Sequence, residues 1–460
     1  MSSRETAFDV VVVGAGTAGA NAAYQLADRG LSVALVDKRE LSKSGAQWFN
    51  AILEWQFERA GVESPVPPES SPRVPRSHMI SPSGAVVMQI TNPPTLSTDM
   101  AALGDRLRSN ATDRGVRTFD SATGLTPVLD GDRLIAIEFG ESERVRLTAP
   151  LFVDASGLRG VLRKASPPLR RWCPDISGDE LCTASDFHFR IADQTGAQEF
   201  LARNGATAGD TVSMLGLSGG FSTCGITVSA DLTWVGVLVG CLANGSYGTG
   251  PSMLAGVRDR EPWIGEVIHG GSGLIPLRRP YPRFTAPGLA LVGDAACQVF
   301  PAHGSGIGLG LIAGRILADT VTGPRSSSHG DIGDERLLWE YQHRFMTEFG
   351  GLLASYESVR RMSTKLGSDG VSALLESGVM NESLTRAGLD QRLSTPDLKD
   401  LPIMAGRLAR RPSLAIKVLP MLARSRAAAF LGGSHPRELD LDALDRWDRK
   451  LTRVLGPLPG

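Results

Sequence analysis

Beginning at Phe8 the chain reads FDVVVVGAGTAGANAAYQLADRGLSVALVDKRE, and no other segment restricts the fold so tightly. Val10 to Val13 form a continuous β-branched run, as expected for a parallel strand buried on both faces. The run ends in Gly14, Gly16 and Gly19, a G-x-G-x-x-G pattern. The first glycine permits a tight turn, the second lets a pyrophosphate reach the backbone, and the third lets the next helix pack on the strand. That helix is expected from Thr17 to Ala27. Its amides at Thr17, Ala18 and Gly19 and its positive dipole end would hold a diphosphate without a basic side chain. A second strand over Leu31 to Val36 delivers Asp37, with Lys38 beside it, where a carboxylate accepts hydrogen bonds from ribose hydroxyls. An acid at that place repels a 2′-phosphate. The unit therefore reads as an adenine-dinucleotide site, and by itself it does not separate a flavin from a nicotinamide coenzyme.

Two later stretches repeat the logic. Leu151 to Val153 is an apolar strand followed by Asp154-Ala155-Ser156-Gly157. Leu289 to Val292 is another, followed by Gly293-Asp294 and then Gly304, Gly306, Gly308 and Gly310 opening a helix near Ile307. Asp294 is placed to bond a ribityl hydroxyl, and the amides around Gly304, Gly306 and Ile307 to face a pyrophosphate or a flavin pyrimidine edge. A nicotinamide dinucleotide does not need so dispersed a site.

With these three motifs in order, the sequence resembles the FAD flavoproteins that include aromatic-ring monooxygenases, geranylgeranyl reductases, lycopene cyclases and flavin-dependent halogenases. Gly293-Asp294-Ala295-Ala296 followed by Pro301 and the glycine run looks most like the geranylgeranyl reductase branch. The resemblance implies bound FAD contacted at Gly14, Gly16, Thr17, Ala18, Gly19, Asp37, Lys38, Ala155, Gly157, Gly293, Asp294, Gly304, Gly306 and Ile307. It also implies an α/β fold: a Rossmann-type FAD-binding domain, an interleaved and mostly antiparallel β-sheet substrate domain, and a helical C-terminal region. The sequence departs from the branch as well. Lys43-Ser44-Gly45-Ala46-Gln47-Trp48-Phe49 lacks the proline and the cysteine that its reductases commonly carry, and the arginine ahead of a helix near residue 100 is replaced in LSTDMAAL. A halogenase W-x-W-x-I-P string is absent too.

The expected organisation is a first FAD-binding part over 1–164 with a Pro- and Ser-rich insertion at 41–97 that reaches around the flavin. A β-rich substrate domain over 165–285, a closing FAD-binding segment over 286–325 and helices over 326–460 follow. Asp99 or Thr98 caps a helix of about fifteen residues, and Asp130-Gly131 makes a hairpin turn. Lys and Arg number 48 against 49 Asp and Glu, a formal charge of −1, so no global field gathers nucleic acid. Five cysteines without a C-x-x-C pair argue against a disulfide framework or a thiolate metal site, and no metal is expected. Without a leader pattern or a stretch of ~18 apolar residues the chain reads as cytoplasmic. Residues 401–437 carry no Asp or Glu and seven Lys and Arg interleaved with apolar side chains, a pattern suited either to a solvated helical cover or to peripheral membrane contact. Pro412 and Pro420 are expected to break this stretch into short helices.

The flavin must supply the reactivity, with protein groups orienting the substrate. His303, between Pro301 and the glycine run, is a candidate to position substrate or donate a proton. Gln47 and Trp48 occupy the place where relatives meet flavin or substrate. Gly220 and Phe221 resemble the pocket-floor motif of the reductases, and Trp234 and the segment around Tyr281 are candidate pocket walls. Cys297 reads as a small buried hydrophobe. The expected substrate is an apolar isoprenoid or a similar specialised metabolite, reduced at a double bond. An FAD monooxygenase and a flavin-dependent non-redox cyclase are the alternatives, and a regulatory flavin-holding protein is a further one. Electrons would come from NAD(P)H or from a separate reductase protein.

Overall fold

The computed structural model describes residues 4–456 apart from 142, 218, 220, 325–329 and 394–400. Its centre is a six-stranded sheet in the order Thr285–Ala286, Leu289–Leu291, Leu151–Asp154, Val10–Val13, Val33–Val36 and Arg117–Phe119. All neighbours are parallel except the first pair. Val10–Val13 pairs on both edges and is buried on both faces, which is why it needed four β-branched side chains in a row.

Two helices lie against one another on this sheet, Thr17–Ala27 and Ile307–Val321. Their seam is made of residues without bulk. A Cβ added at Gly314 would meet Ala22 Cα at 3.1 Å, and one at Gly310 would meet Ala18 Cβ at 3.1 Å. Asn21 Nδ2 donates to Leu311 O across the seam at 2.8 Å. The helices thereby start side by side, each at the end of a sheet strand.

A seven-stranded sheet runs Ile264–Pro276, Leu181–Ile191, Trp234–Leu242, Ser222–Val228, Thr211–Leu215, Arg76–Ile80 and Val87–Thr91. It is antiparallel apart from the pairing of Thr211–Leu215 with Arg76–Ile80. Its outer face packs Phe189, Val235, Val237, Val239 and Ile226 against Leu254 and Val257 of helix Gly250–Arg260. Residues 41–97 are thus more than a wrapping insertion. They supply two strands of this sheet, and strand Phe49–Leu53, which pairs antiparallel with Thr95–Asp99 at the insertion's far end. RSHMI and VMQIT lack the strict apolar–polar alternation that announces half-buried strands. Asp99 caps helix Met100–Asp113 by accepting from Ala101 N and Ala102 N. A third, four-stranded sheet runs Arg4–Ala7, Val145–Thr148, Arg133–Phe139 and Thr126–Asp130, with Gly131 at φ 57° in its hairpin turn.

From Asp334 onward the chain is mainly helical. Pro412 starts helix Pro412–Gly433, but Pro420 does not end it, contrary to the sequence expectation. Both Pro420 and Ile416, whose carbonyl loses its partner, are exposed, so the freed group is not stranded in a packed core. The helical region also braces the third motif. Gly293 N donates to Gln298 Oε1 at 2.7 Å, Gln298 Nε2 donates to Tyr341 Oη at 3.0 Å, and Tyr341 Oη donates to Leu291 O at 2.8 Å. All three side-chain contacts are buried.

Tyr341→Phe leaves the Gln298 amide and the Leu291 carbonyl unpaired in a dry site. The variant is expected to be less stable by about 1–3 kcal/mol, read as a lowered urea midpoint.

Candidate functional site

The three glycine motifs converge. Gly14 has φ 108°, and a Cβ there would sit 2.3 Å from Ala155 O. A Cβ on Gly19 would lie 1.8 Å from Gly14 O and 2.9 Å from Ala155 Cβ, and Ala18 Cβ lies 3.1 Å from the Cβ position of Gly293. The first intrahelical bond of Thr17–Ala27 is Ala20 N to Gly16 O, which leaves the amides of Thr17, Ala18 and Gly19 without helical partners. Helix Ile307–Val321 begins the same way with Gly310 N donating to Gly306 O. Neither helix has a side-chain N-cap, so both positive ends stay open toward an anion.

The flanking carboxylates divide into two kinds. Asp37 Oδ2 accepts from Ala15 N at 2.8 Å and Oδ1 from Arg39 N at 2.9 Å, and these bonds hold the cradle loop against the end of its strand. Spare lone pairs remain for ribose hydroxyls. Lys38 beside it is exposed, and slight burial together with Arg159 and Arg39 lowers its pKa, so this rim is cationic. Asp154 is consumed internally by Ser156 N and Oγ and by the amides of Leu162 and Arg163. Its role is to shape the Ala155–Gly157 turn, where Gly157 has φ 67°. The Asp294 carboxylate, in contrast, has no protein hydrogen-bond or ion-pair partner among the described residues, and burial pushes it up to about 6. A half-buried carboxylate that lacks a donor, next to the Gly306 helix start, is chemistry suited to a polyol such as the ribityl chain. These residues fit FAD: backbone amides for the diphosphate, Asp37 for the adenosine ribose and Asp294 for the ribityl group.

Arg108 escaped the sequence reading. Its Nη1 donates to Ala15 O at 3.0 Å and to Ser44 O at 3.4 Å, which ties the cradle to the Ser44–Trp48 loop from inside a helix. The signal available was Gly104, four residues earlier, whose missing side chain leaves room for the guanidinium, 3.0 Å from the Cβ position. Gly45 then passes 3.1 Å from Gly16 Cα, measured from its Cβ position.

Three residues further on, the loop reaches the seven-stranded sheet. The Trp48 ring lies on Gly271 and Gly273, 2.5 Å and 2.9 Å from their Cβ positions, and Trp48 O accepts from Met100 N. Gln47 Nε2 donates to Ser44 O at 3.3 Å. Phe49 stacks on His188 at 4.1 Å and His188 on Trp234 at 4.7 Å. Trp234 therefore lies on the same inward face as Trp48, at its far end. Phe221 packs against the buried cluster of Cys182, Leu242 and Leu277, as do Ile275 and Tyr247, while Gly220 lies outside the described residues. His303 is exposed on one side and takes a backbone contact from Gly388 on the other, and burial lowers its pKa to about 4. The next residue, Gly304 (φ 76°), rests on Ile275, 3.1 Å from its Cβ position. Ile275, Gly273 and Gly271 share one face by the two-residue period, so that face meets both the Trp48 loop and the His303–Gly304 turn. Across the ladder on the same face stand Ala184 and Asp186, and beyond Asp186 stands Leu238, 43% exposed.

Of two further expectations, the one for the Tyr281 segment meets different surroundings and the one for Cys297 as a buried side chain is met. Tyr281 is fully buried between the guanidinium groups of Arg163 and Arg278, with its hydroxyl donating to Pro174 O, so it is core rather than pocket wall. Burial pushes the Cys297 thiol up to about 11, as befits an inert side chain. No group of metal-ligating side chains occurs among the described residues.

Residues 9–63 match a family model described as FAD dependent oxidoreductase. The chain is 26% identical over 465 residues to digeranylgeranylglycerophospholipid reductase of Sulfolobus acidocaldarius, which spans 98% of both chains. It is 24% identical to digeranylgeranylglycerophospholipid reductase 2 of Methanopyrus kandleri, covering 80% of this chain and 90% of that protein. Among solved structures, a geranylgeranyl bacteriochlorophyll reductase-like protein from Thermoplasma acidophilum superposes with a TM-score of 0.70 at 16% identity, over 91% of this chain and 100% of that one. A flavin-dependent brominase gives 0.56 at 16% identity, over 97% and 100%. The likeness to both structures is one of fold, and the sequence resemblance to FAD oxidoreductases and to the geranylgeranyl reductase branch is borne out.

Gly14→Ala forces a Cβ against the Ala155 carbonyl and strains a positive φ. The purified variant is expected to keep its far-ultraviolet circular dichroism and to come off the column colourless. Arg108→Ala is expected to weaken FAD retention about tenfold, one lost charged hydrogen-bond clamp, measured by fluorescence titration of the coenzyme-free protein.

Proposed function

We propose that this chain, an FAD-dependent oxidoreductase by its cradles and by its relatives, reduces carbon–carbon double bonds of an apolar isoprenoid chain. The observation that carries this reading is the inward face of the seven-stranded sheet. Glycines at 225, 236, 240, 271 and 273 strip side chains from its surface, Leu238 is exposed there, and Trp48, Phe49 and Trp234 border it. Such a face gives an extended hydrocarbon contact along its glycines and Leu238, with Asp186, His188, Ser213, Thr223 and Thr227 among the polar side chains that share it. The names of the curated relatives, reductases of a digeranylgeranyl lipid, point the same way.

In this reading FAD, held by the residues named above, supplies the hydride when reduced. Trp48 presses one flat face on the substrate chain while its other face rests on the glycines, and Gln47 keeps the Trp48 loop in register through Ser44 O. His303 is neutral at pH 7 and acts as a positioning group on the Gly304 turn, with Phe221 and Ile275 both anchored on the Cys182, Leu242 and Leu277 cluster. Electrons arrive from transiently bound NAD(P)H or from a separate reductase protein.

The same reading seats the enzyme at a membrane surface. Ile416, Leu419, Ala423 and Phe430 form an exposed stripe on helix Pro412–Gly433, with Phe430 78% exposed, and Ile403 is exposed on the preceding helix. Arg407, Arg410, Lys417, Arg424 and Arg426 are exposed around them. No helix among the described residues is long and apolar enough to cross a membrane. A basic rim around apolar side chains suits an anionic leaflet, each cation adding roughly 1 kcal/mol.

Dithionite-reduced holoenzyme mixed with geranylgeraniol without oxygen is expected to regain its yellow absorbance as saturated product forms by mass spectrometry. Product formed only with oxygen consumption would instead establish a monooxygenase, and turnover without flavin oxidation a non-redox cyclase. Sedimentation with phosphatidylglycerol vesicles, lost in an Ile416→Asp, Phe430→Asp variant and in high salt, is the expected membrane result. Equal sedimentation of that variant would refute the membrane contact.

A further inference from the structure

Asp186 stands on the inward face of strand Leu181–Ile191, opposite Gly271 on one side and Leu238 on the other. The Trp48 ring covers Gly271, the residue directly opposite Asp186 on the neighbouring strand. No donor and no cation partners it among the described residues, and burial alone pushes its carboxyl up to about 7. The neighbouring groups do not change this. His188, two residues along the same face, is held down to about 4 by burial and by His269, with Asp99 opposing. The Asp99 carboxylate is itself occupied by Ala101 N and Ala102 N. Arg190 is exposed four residues along the strand, and His303 precedes Gly304, which rests on Ile275, four residues along the partner strand from Gly271. A lone carboxylate in so apolar a place is stable chiefly as the neutral acid, the form that can give up a proton.

We infer that Asp186 is the acid that protonates the substrate double bond. This rests on the reduction reading given above. An isolated alkene is a poor hydride acceptor, so a proton must accompany the hydride. The Asp186 O–H bond breaks and its proton forms the new C–H bond at the less substituted carbon, drawing on the π pair. The more substituted carbon takes the hydride from the reduced coenzyme, which is left oxidised by two electrons. The carboxylate then regains a proton from water. The indole of Trp48 beside the site offers its π face to the positive charge developing on the more substituted carbon.

The test uses the full-length, FAD-loaded chain with Asp186→Asn and Asp186→Glu. Coenzyme content, visible spectrum and dithionite reduction are expected to match the native protein. Anaerobic oxidation of reduced D186N by geranylgeraniol is expected to slow by at least ~100-fold, and D186E to recover part of the loss. The native rate should be flat at low pH and fall as pH rises through about 7, a limb missing from D186N. Independently of turnover, infrared titration of the coenzyme-free chain, made in an Asp294→Asn background to remove the other raised carboxyl, should show a protonated carboxyl band that disappears near that pH when Asp186 is present and is absent when D186N is added. Native turnover and pH profile in D186N would overturn the assignment, as would a band that titrates in the ordinary aspartate range. If native reduced enzyme is not oxidised by geranylgeraniol, the reduction reading falls and this proposal with it. A native enzyme that works and a D186N that works equally well removes Asp186 alone.

Discussion

The structure depends on backbone approaching backbone where side chains are missing. Gly14 lies under the Ala155 carbonyl, Ala18 fits between Gly293 and Gly310, and Ala22 presses on Gly314. These contacts bring together stretches of chain far apart in sequence, and they aim two uncapped helix ends at one place. The dipoles of those ends would repel one another at close range without an anion between them. Tight helix packing and anion binding are therefore two aspects of one arrangement: the seam that buries the alanines also concentrates positive potential where a diphosphate can lie.

A second constraint is electrostatic and lies under the helical region. Burial alone would raise the Glu357 carboxyl, but Arg279, Arg361 and Arg278 outweigh it and hold it at about 2. The fully buried carboxylate accepts from Arg279 N and from the Arg361 side chain. Arg279 also reaches Asp448 and Thr452 on the last helix. The segment leading to the Gly293 turn is thus fixed to the C-terminal helices by charge, while Gln298 and Tyr341 fix the turn itself by neutral hydrogen bonds. Removing one partner of such a buried network leaves a stranded charge, which is far costlier than the pair is stabilising.

Much of this was legible in the sequence wherever a residue's identity followed from local backbone needs. The four valines, the three glycines and Asp37 each answer a requirement within their own strand–turn–helix unit, and Asp99 as a cap answers one within its own first turn. Arg108 and Asp186 were not legible, because what matters about them is what lies opposite after folding. Arg108 sits in an ordinary amphipathic helix, and Asp186 in the alternating run DFHFRI, where the polar residue at every second place reads as solvent-facing. Only the ladder register, which puts glycine and leucine beside it and tryptophan above, turns that acid inward. Pro420 was misread for the complementary reason: a proline breaks a helix when the freed carbonyl is dry, and solvent exposure is invisible in a string of letters.

The seven-stranded sheet is assembled from residues on both sides of the Leu151–Asp154 strand, since Arg76–Ile80 and Val87–Thr91 precede it in the chain and the other five strands follow it. The inward face of the sheet is consequently not a transplantable cassette. A chimera that exchanged residues 165–285 with a relative would inherit two strands cut to fit a different neighbour, and the unpaired edge at Thr211–Leu215 would recruit other chains. Diversity in what such a face accepts must arise by single replacements along its paving, or by exchanging both segments together.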